Sequence, residues 1–283
     1  MRGFARSDVG RVRQTNEDVC WLGALEAWPG SFFAAVADGM GGHQWGEVAS
    51  NLAVAATRQG LEAGLGAARA ADAAGTAGTA GTPGAAGGGE IDLGGLLRKA
   101  IIDANQTVIA AAAASERPGP PMGTTLSCAL VLGDRAAIGH VGDSRAYLVR
   151  GAEARLLTVD HSLVGELLRT GDISEREAMV HPHRNVLTRA LGTEGDTAPD
   201  MVELDFGPGD LLVLCTDGLT SLVAADEIAA AVAHDAASAP DRLVALANER
   251  GGHDNVTVMV LIAGPVMGPL PPPRADGRGR QAG

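Results

Sequence analysis

Acidic residues mark the ends of apolar runs in this sequence, where charge is costly unless it is partnered. Three of them close such a run and precede a turn, and a fourth directly opens one: Asp38, Asp143, Asp217 and Asp254. The adjacent pair Glu17-Asp18 lies between two short strand-like stretches. Because an unpaired carboxylate at the end of a buried strand costs free energy, several in one pattern indicate a shared positive ligand.

A divalent cation is the ligand that best fits this set of acids. Carboxylate and carbonyl oxygens are the donors that Mg²⁺ and Mn²⁺ prefer in proteins. Glycine follows two of the acids, in Asp38-Gly39 and Asp217-Gly218, and there the backbone can approach an ion closely. The Gly39 carbonyl is therefore itself a candidate ligand. The pattern predicts a metal centre made only of oxygen donors.

The elements that must position these acids are short strands and paired helices. Apolar runs predict strands over 31–38, 125–132, 136–143, 210–217 and 255–262. Apolar residues at helical spacing predict helices near 45–56, 93–108, 225–235 and 241–250. Because the helices arrive in pairs rather than one per strand, this order favours an α+β fold in which helix pairs lie on antiparallel sheets.

Composition excludes several classes of protein. The 283 residues carry a net charge of −12, which argues against nucleic acid as a partner and against a two-metal nuclease. The one lysine, Lys99, does not follow a glycine, so a Walker phosphate loop is excluded. No apolar stretch approaches the ~20 residues of a membrane span, and the N-terminus has no signal region. Since the three cysteines form no CxxC motif, these features predict a cytoplasmic protein without a membrane partner.

Two segments of low complexity stand apart from the rest of the chain. Residues 64–89 are almost entirely Ala, Gly and Thr, which predicts a flexible insertion because so little apolar surface can be buried. The Pro-, Arg- and Gly-rich residues 264–283 predict a disordered tail. The remainder, residues 1–263, is predicted to be one catalytic domain.

Seven stretches of the sequence occur in the order of a known family: SDVGRVRQTNED (7–18), VADGMGGHQWGEVAS (36–50), MGTTLS (122–127), HVGDSRAYLVR (140–150), HPHRNVLTRALG (181–192), LCTDGLTSLV (214–223) and GGHDNVTVMV (251–260). They resemble the metal-dependent protein phosphatases, the protein phosphatase 2C or PPM family, in their compact bacterial form. The resemblance implies a four-layer α-β-β-α sandwich that hydrolyses phosphoserine and phosphothreonine in proteins.

The resemblance also implies two Mn²⁺ or Mg²⁺ ions, with a third and weaker site in many bacterial members. The ligands carried over by position are Asp38, the Gly39 carbonyl, Asp217 and Asp254, with Asp18 acting through waters and Asp143 joining Asp217 at the third ion. The segment from Ser162 to Asn185 corresponds to the flap beside the active site. Phosphorylated proteins, including a serine/threonine kinase, are the implied partners, and a monomer is expected.

Two further residues are candidates for the chemistry of a phosphate ester. Arg13, four residues before Glu17, would hold the substrate phosphate with a planar fork of donors that lysine lacks. His43 is the nearest candidate proton donor for the leaving alkoxide. Animal members of the family place a histidine directly after the Asp-Gly pair, where this chain has Met40. A turn histidine facing solvent, with a metal-bound water as the acid, is therefore the alternative.

The sequence also offers alternatives to the phosphatase function. Ser144, Asp217 and His253 occur in the chain order of an α/β-hydrolase triad, but GDSRA lacks the last glycine of a nucleophile elbow. A phosphatase fold that has lost catalysis and serves as a binding or sensing module is the second alternative. A zinc site at His181-Pro182-His183 lacks further ligands at suitable spacing.

Overall fold

Eleven strands and six helices are found in the computed structural model, which describes residues 1–41, 45–74, 91–114, 122–151, 153–174, 177–178, 181–193 and 197–264. The strands are β1 (Arg2–Asp8), β2 (Asp18–Ala24), β3 (Ser31–Met40), β4 (Gly123–Thr124), β5 (Leu126–Leu132), β6 (Arg135–Val141), β7 (Arg145–Arg150), β8 (Glu153–Leu156), β9 (Asp200–Asp205), β10 (Leu211–Cys215) and β11 (Val256–Ile262). The helices are α1 (Trp45–Ala73), α2 (Leu93–Ala114), α3 (Leu163–Thr170), α4 (Asp217–Thr220), α5 (Ala225–His234) and α6 (Ala239–Glu249).

The strands form two antiparallel sheets. The first sheet has the order β1-β11-β10-β7-β8, and the second has the order β2-β3-β5-β6-β9, with β4 paired to β3. The first strand of the chain therefore pairs with the last, and Asp8 lies opposite Val256. In the second sheet Asp18 lies directly opposite Asp38. The β1–β11 register thus places Asp8 beside the start of β11, just after Asp254, and the β2–β3 register places two of the predicted acids, Asp18 and Asp38, opposite each other.

Three apolar clusters hold the layers together. Phe33, Leu97 and Ile101 belong to the cluster that joins the second sheet to α1 and α2. Between the first sheet and the pair α5 and α6 lies the cluster that includes Val258. The two sheets meet through many small side chains, such as Ala129. Burying one leucine or isoleucine contributes roughly 1.5–3 kcal/mol, so these clusters supply the main stabilising free energy. The α+β fold with an α-β-β-α arrangement is confirmed.

The long first helix corrects one prediction. Helix α1 continues to Ala73, so residues 64–73 are helical and not part of a flexible segment. Leu61 and Leu65, one turn apart, are both fully buried and extend the apolar face of the helix. Residues 75–89 of the predicted insertion and residues 265–283 of the predicted tail lie outside the described residues. Among the described residues, no helix combines the length and the apolar character that crossing a bilayer requires.

Candidate active site

Carboxylates from both sheets surround one cleft of about 530 Å³. The acids that line it are Glu17, Asp38, Asp143, Asp217 and Asp254. Gly39 and Arg13 line the same cleft, and so do all residues of the segment 185–190 except Val186. We call the acidic side of the cleft the carboxylate wall and residues 185–190 the flap wall. The structure thus brings these five acids together around one cavity.

Strand ends explain how distant residues meet there. Asp38 lies near the end of β3, and Asp143 lies in the turn between β6 and β7. Asp217 follows β10 as the first residue of α4, and Asp254 precedes β11, the neighbour of β10. In adjacent antiparallel strands, the end of one lies beside the start of the other. Asp217, after β10, and Asp254, before β11, therefore lie at the same end of this strand pair.

Asp18 takes a different position from the other acids. Its side chain does not line the cleft; Asp18 is 7% exposed, and its Oδ2 accepts hydrogen bonds from the hydroxyls of Thr216 at 2.8 Å and Thr257 at 2.7 Å. Its Oδ1 is buried without a hydrogen-bond partner among the described residues. This agrees with an outer role behind Asp38 rather than a direct one.

Burial and mutual repulsion disturb the titration of the acids. Burial raises the pKa of Asp38 well above its usual range, and the Asp18 and Asp217 charges raise it further. Burial, followed by the Asp217 charge, raises the pKa of Asp143 to about 8. For Asp217, burial and the Asp254 charge raise the pKa to about 6, although a hydrogen bond from the Asp38 carboxyl opposes this. The crowding of these carboxylates therefore favours the binding of protons or of cations.

The donor set fits divalent cations. All the candidate donors are oxygens, and the buried Oδ1 atoms of Asp18 and Asp217 have no hydrogen-bond partner within the described chain. Across the described ranges, no three Asp, Glu, His or Cys side chains already converge as a metal-binding group. Instead they surround the cavity while bonded to neighbours, as Asp254 is to Arg13. The residues present therefore fit oxygen-ligated ions by chemistry and by location.

The backbone at Gly39 leaves no room for a side chain. A Cβ atom there would lie 2.1 Å from the Gly46 carbonyl oxygen, and one at Gly46 would lie 1.9 Å from Glu17 Oε2. The start of α1 thus packs directly against Gly39 and the Glu17 carboxylate, and the positive end of a helix favours a nearby carboxylate. Both glycines are required for this close approach, which keeps the Gly39 backbone at the cleft.

Arg13 lies at the mouth of the cleft. Its Nη2 donates to Asp254 Oδ2 at 2.7 Å, and its side chain is 53% exposed. The guanidinium is therefore held beside the carboxylates but remains open to a ligand from solvent. The predicted proton donor His43 lies outside the described residues.

Ser144 does not form a hydrolase triad. It is fully buried, its hydroxyl shares a hydrogen bond with Thr125 Oγ1 at 2.8 Å, and β7 begins at the next residue, Arg145, where a nucleophile elbow would open a helix. Arg145 pairs instead with Asp160 at 2.6 Å. The serine-hydrolase alternative therefore has no support in the structure.

Asn255 is a residue of the site that the sequence reasoning missed. Its Oδ1 accepts from Glu17 N at 2.8 Å, and its Nδ2 donates to the carbonyls of Val9 at 3.0 Å and Thr15 at 2.9 Å. One buried amide therefore fixes both ends of the loop that carries Arg13. The available signal was an amide residue directly after Asp254, at the entry to a strand.

Comparison with known proteins gives the relatives of this chain. The family model described as "Protein phosphatase 2C" matches residues 11–251. A serine/threonine phosphatase named stp from Listeria monocytogenes is 39% identical over 263 residues, covering 92% of this chain and 95% of that protein. The phosphatase PstP of Mycobacterium tuberculosis is 38% identical and covers 92% of this chain, which spans 44% of PstP.

Solved structures agree with the sequence relatives. The crystal structure of the M. tuberculosis phosphatase PstP superposes with a TM-score of 0.74 at 36% identity, covering 93% of this chain and 98% of that one. A second structure, described as the PstP catalytic domain in complex with two manganese ions, has a TM-score of 0.71 at 35% identity, covering 92% and 96% of the two chains. The extent of these matches shows that this chain belongs to the protein phosphatase 2C family and is a metal-dependent serine/threonine protein phosphatase.

Proposed function

We propose that the cleft hydrolyses phosphoserine and phosphothreonine with two divalent cations, Mn²⁺ or Mg²⁺, bound at the carboxylate wall. The observation that supports this most directly is that five acids and one arginine line a single cavity of about 530 Å³. Divalent cations in such a site supply a nucleophile at neutral pH and neutralise the charge of the phosphoryl group. The relative solved with two manganese ions supports the number of ions and the use of Mn²⁺.

The proposed ligands are oxygens at or near the carboxylate wall. We propose that the two ions are held by Asp38, the Gly39 carbonyl, Asp217 and Asp254. Asp18, fixed by two threonine hydroxyls behind Asp38, would act through waters. Asp143, on the turn between the sheets, would join Asp217 in a third and weaker site.

Arg13 binds the phosphate of the substrate in this proposal. Its bond to Asp254 holds the guanidinium over the cleft before a substrate arrives. A phosphate dianion offers two oxygens in the plane of the fork and carries more charge than one carboxylate, so it competes for the same donors. A cation held by Asp254 would weaken the bond between Asp254 and Arg13, and Arg13 would then be available to the phosphate.

The leaving alkoxide requires a proton. We propose His43 as its donor because it comes five residues after Asp38 in the sequence. A pH profile of kcat for His43→Gln tests this role: the alkaline limb should shift or disappear, and an unchanged profile would assign the proton to a water instead.

Phosphorylated proteins are the proposed substrates, with a serine/threonine kinase among them, so the enzyme would oppose kinase signalling. A monomer acting in the cytoplasm is the proposed state. The cysteines Cys20, Cys128 and Cys215 are all free, as expected in a reducing compartment.

Phosphate release from a phosphothreonine peptide tests the function. Activity with Mn²⁺ should disappear in excess EDTA and return when Mn²⁺ is restored. Asp217→Asn should remove nearly all activity because it deletes one of the charges that would hold the ions, whereas Asp103→Asn, on the exposed face of α2, should leave it unchanged. Activity that persists in EDTA or in Asp217→Asn would contradict the proposal.

A further inference from the structure

We propose that His161 is a positioning residue that sets the distance between the flap wall and the turn carrying Asp143. This inference rests on the proposed function of the cleft. His161 lies between β8 and α3, and it is 2% exposed. Neither its ring nor its backbone lines the cleft, so it would act through the groups it binds.

The first set of contacts joins His161 to the turn before Asp143. His161 N donates to the Gly142 carbonyl at 2.7 Å, and Gly142 N donates to His161 Nδ1 at 3.1 Å. Gly142 has φ of 110°, and a Cβ there would lie 2.6 Å from Thr125 Cβ, so no larger residue could take this place. The turn that aims Asp143 is thus closed against the imidazole by a reciprocal pair of hydrogen bonds.

The same contacts determine the tautomer of the ring. Because the Gly142 N–H donates to Nδ1, that nitrogen must carry a lone pair, and the ring proton lies on Nε2. Nε2 then donates to Asp200 Oδ2 at 3.1 Å. Asp200 is the first residue of β9, at the edge of the second sheet. The ring therefore ties the turn to a strand end in a defined orientation.

The second set of contacts joins His161 to the flap wall. Thr188 N donates to the His161 carbonyl at 2.9 Å, and the neighbouring Leu163 N donates to Val186 O at 2.9 Å. Asp200, which receives the imidazole proton, also accepts from Arg189 Nη1 at 2.9 Å. Both the backbone and the side chain of His161 thus reach the flap wall, one directly and the other through Asp200.

A second imidazole packs against the ring of His161. The His140 ring lies 4.6 Å from the His161 ring, centroid to centroid, and the two planes are tilted by 40°. His140 is itself fixed by Ser127 Oγ at 2.8 Å and by the Val159 carbonyl at 3.1 Å. The ring of His161 is therefore held by this packing as well as by its hydrogen bonds, as a spacer between the Asp143 turn and the flap wall requires.

The consequence concerns the substrate. A phosphopeptide must contact the flap wall while its phosphate lies against the carboxylate wall, so an error in their spacing weakens binding of the peptide more than it slows the chemistry. Loss of the imidazole should raise KM for a phosphopeptide about tenfold, with a smaller fall in kcat.

Two isosteric variants separate the two sides of the ring. In His161→Asn the amide oxygen replaces Nδ1 and can still accept from Gly142, but nothing replaces Nε2. In His161→Gln the amide reaches the position of Nε2 and the Nδ1 acceptor is lost. The Asn variant should therefore retain slow amide exchange at Gly142 while exchange at Thr188 and KM both increase. The Gln variant should show faster exchange at Gly142 and weaker activation by Mn²⁺. The matched control is His234→Asn on α5, where the exposed ring shares a hydrogen bond with Arg242 at 3.0 Å, far in sequence from both walls of the cleft.

Measurements on the metal-free protein keep the test independent of activity. Nitrogen-15 NMR of the wild type should show His161 with a proton on Nε2 and none on Nδ1, and a proton on Nδ1 would overturn the inference. Where a His161 variant does not fold, Asp200→Asn removes only the charge that receives the Nε2 proton, and it should raise KM in the same direction. Wild-type kinetics and exchange in every folded variant would also overturn it. A wild type inactive with Mn²⁺ would instead reject the proposed function.

Discussion

The two walls of the cleft are built from different parts of the fold. On the carboxylate wall, Asp38 lies on β3 inside the second sheet, and Asp217 and Asp254 adjoin the central strands of the first sheet. The flap wall, residues 185–190, belongs to neither sheet. An isolated bridge joins its Leu187 to Ser162, and a second bridge joins Leu191, directly after the flap wall, to Thr124. The reacting groups are therefore fixed by the core, while the groups that meet the rest of the substrate depend on a few hydrogen bonds.

This difference separates chemistry from selectivity. A carboxylate wall anchored in two sheets keeps its ligands close together in spite of their repulsion. A flap wall outside the sheets can change in sequence without unfolding the core. Substitutions on one wall therefore test whether the properties of the other wall depend on it.

The largest effect is expected from Asp38→Asn on the carboxylate wall. Activity should fall more than about a thousandfold because the acid would be a ligand of the proposed ions. The metal-free protein should become more stable, since a buried carboxylate facing Asp18 and Asp217 is lost. Steady-state kinetics and thermal melting in EDTA check the two results, and Asp103→Asn should change neither. A less stable metal-free variant would show that repulsion does not dominate this wall.

The second effect is the pH dependence of folding stability and, with the opposite sign, of metal binding. Asp143 and Asp217 have pKa values of about 8 and about 6 in the folded protein, above the ~3.9 of an unfolded chain. Raised carboxylate pKa values stabilise the fold at low pH, and this contribution is lost as pH rises through the folded values. The metal-free protein should therefore lose stability between pH 4 and 8.

Metal binding should show the opposite trend. If one proton is displaced, Mn²⁺ affinity should tighten about a hundredfold between pH 6 and pH 8. Titration calorimetry in two buffers of different ionisation enthalpy measures the proton release directly. Mn²⁺ binding without proton release would contradict the raised pKa values.

A smaller effect is expected from Asn255→Ala, which releases the loop that carries Arg13. Three hydrogen bonds to that loop are lost from a side chain that is 4% exposed. KM for a phosphopeptide should rise about tenfold, and the free energy of unfolding should fall by about 1–3 kcal/mol. Asn51→Ala is the control because its amide bonds only the Glu47 carbonyl on the exposed face of α1. Retention of the wild-type KM would show that Arg13 is held without this amide.

The smallest effect is expected on the flap wall, from Val186→Ser. Val186 is 47% exposed beside the cleft, so the substitution should leave stability within about 0.5 kcal/mol of the wild type. It should change kcat/KM among phosphopeptides with apolar and polar flanking residues by a few-fold, while the Mn²⁺ requirement is unaltered. A panel of peptides with one phosphothreonine measures this. An equal change for every peptide would assign Val186 to the chemistry instead.

The sequence predicts the carboxylate wall better than the flap wall, for a physical reason. Acids at strand ends reveal their role locally, and the two sheets then bring Asp38, Asp143, Asp217 and Asp254 to one cleft. Where a side chain turns is decided by distant partners. The Asp18 carboxylate does not line the cleft because it accepts hydrogen bonds from the hydroxyls of Thr216 and Thr257, which follow it by 198 and 239 residues. No local pattern in the sequence could show these partners.

Low-complexity composition also misled the prediction at residues 64–73. A run rich in alanine lacks large apolar side chains, which indicated a flexible segment. Alanine has the highest helix propensity, however, and Leu61 and Leu65 are spaced to continue the buried face of α1. Composition alone therefore underestimates a helix that needs only one apolar contact per turn.

The pairing of β1 with β11 has a consequence for synthesis. The loop that presents Arg13 is made well before Asp254 and Asn255, which hold it, since Asp254 follows Arg13 by 241 residues. Contacts of such long sequence separation form late in folding. A growing chain that has not yet reached Asn255 therefore cannot assemble the phosphate-binding end of its cleft, so dephosphorylation begins only after that residue has been made.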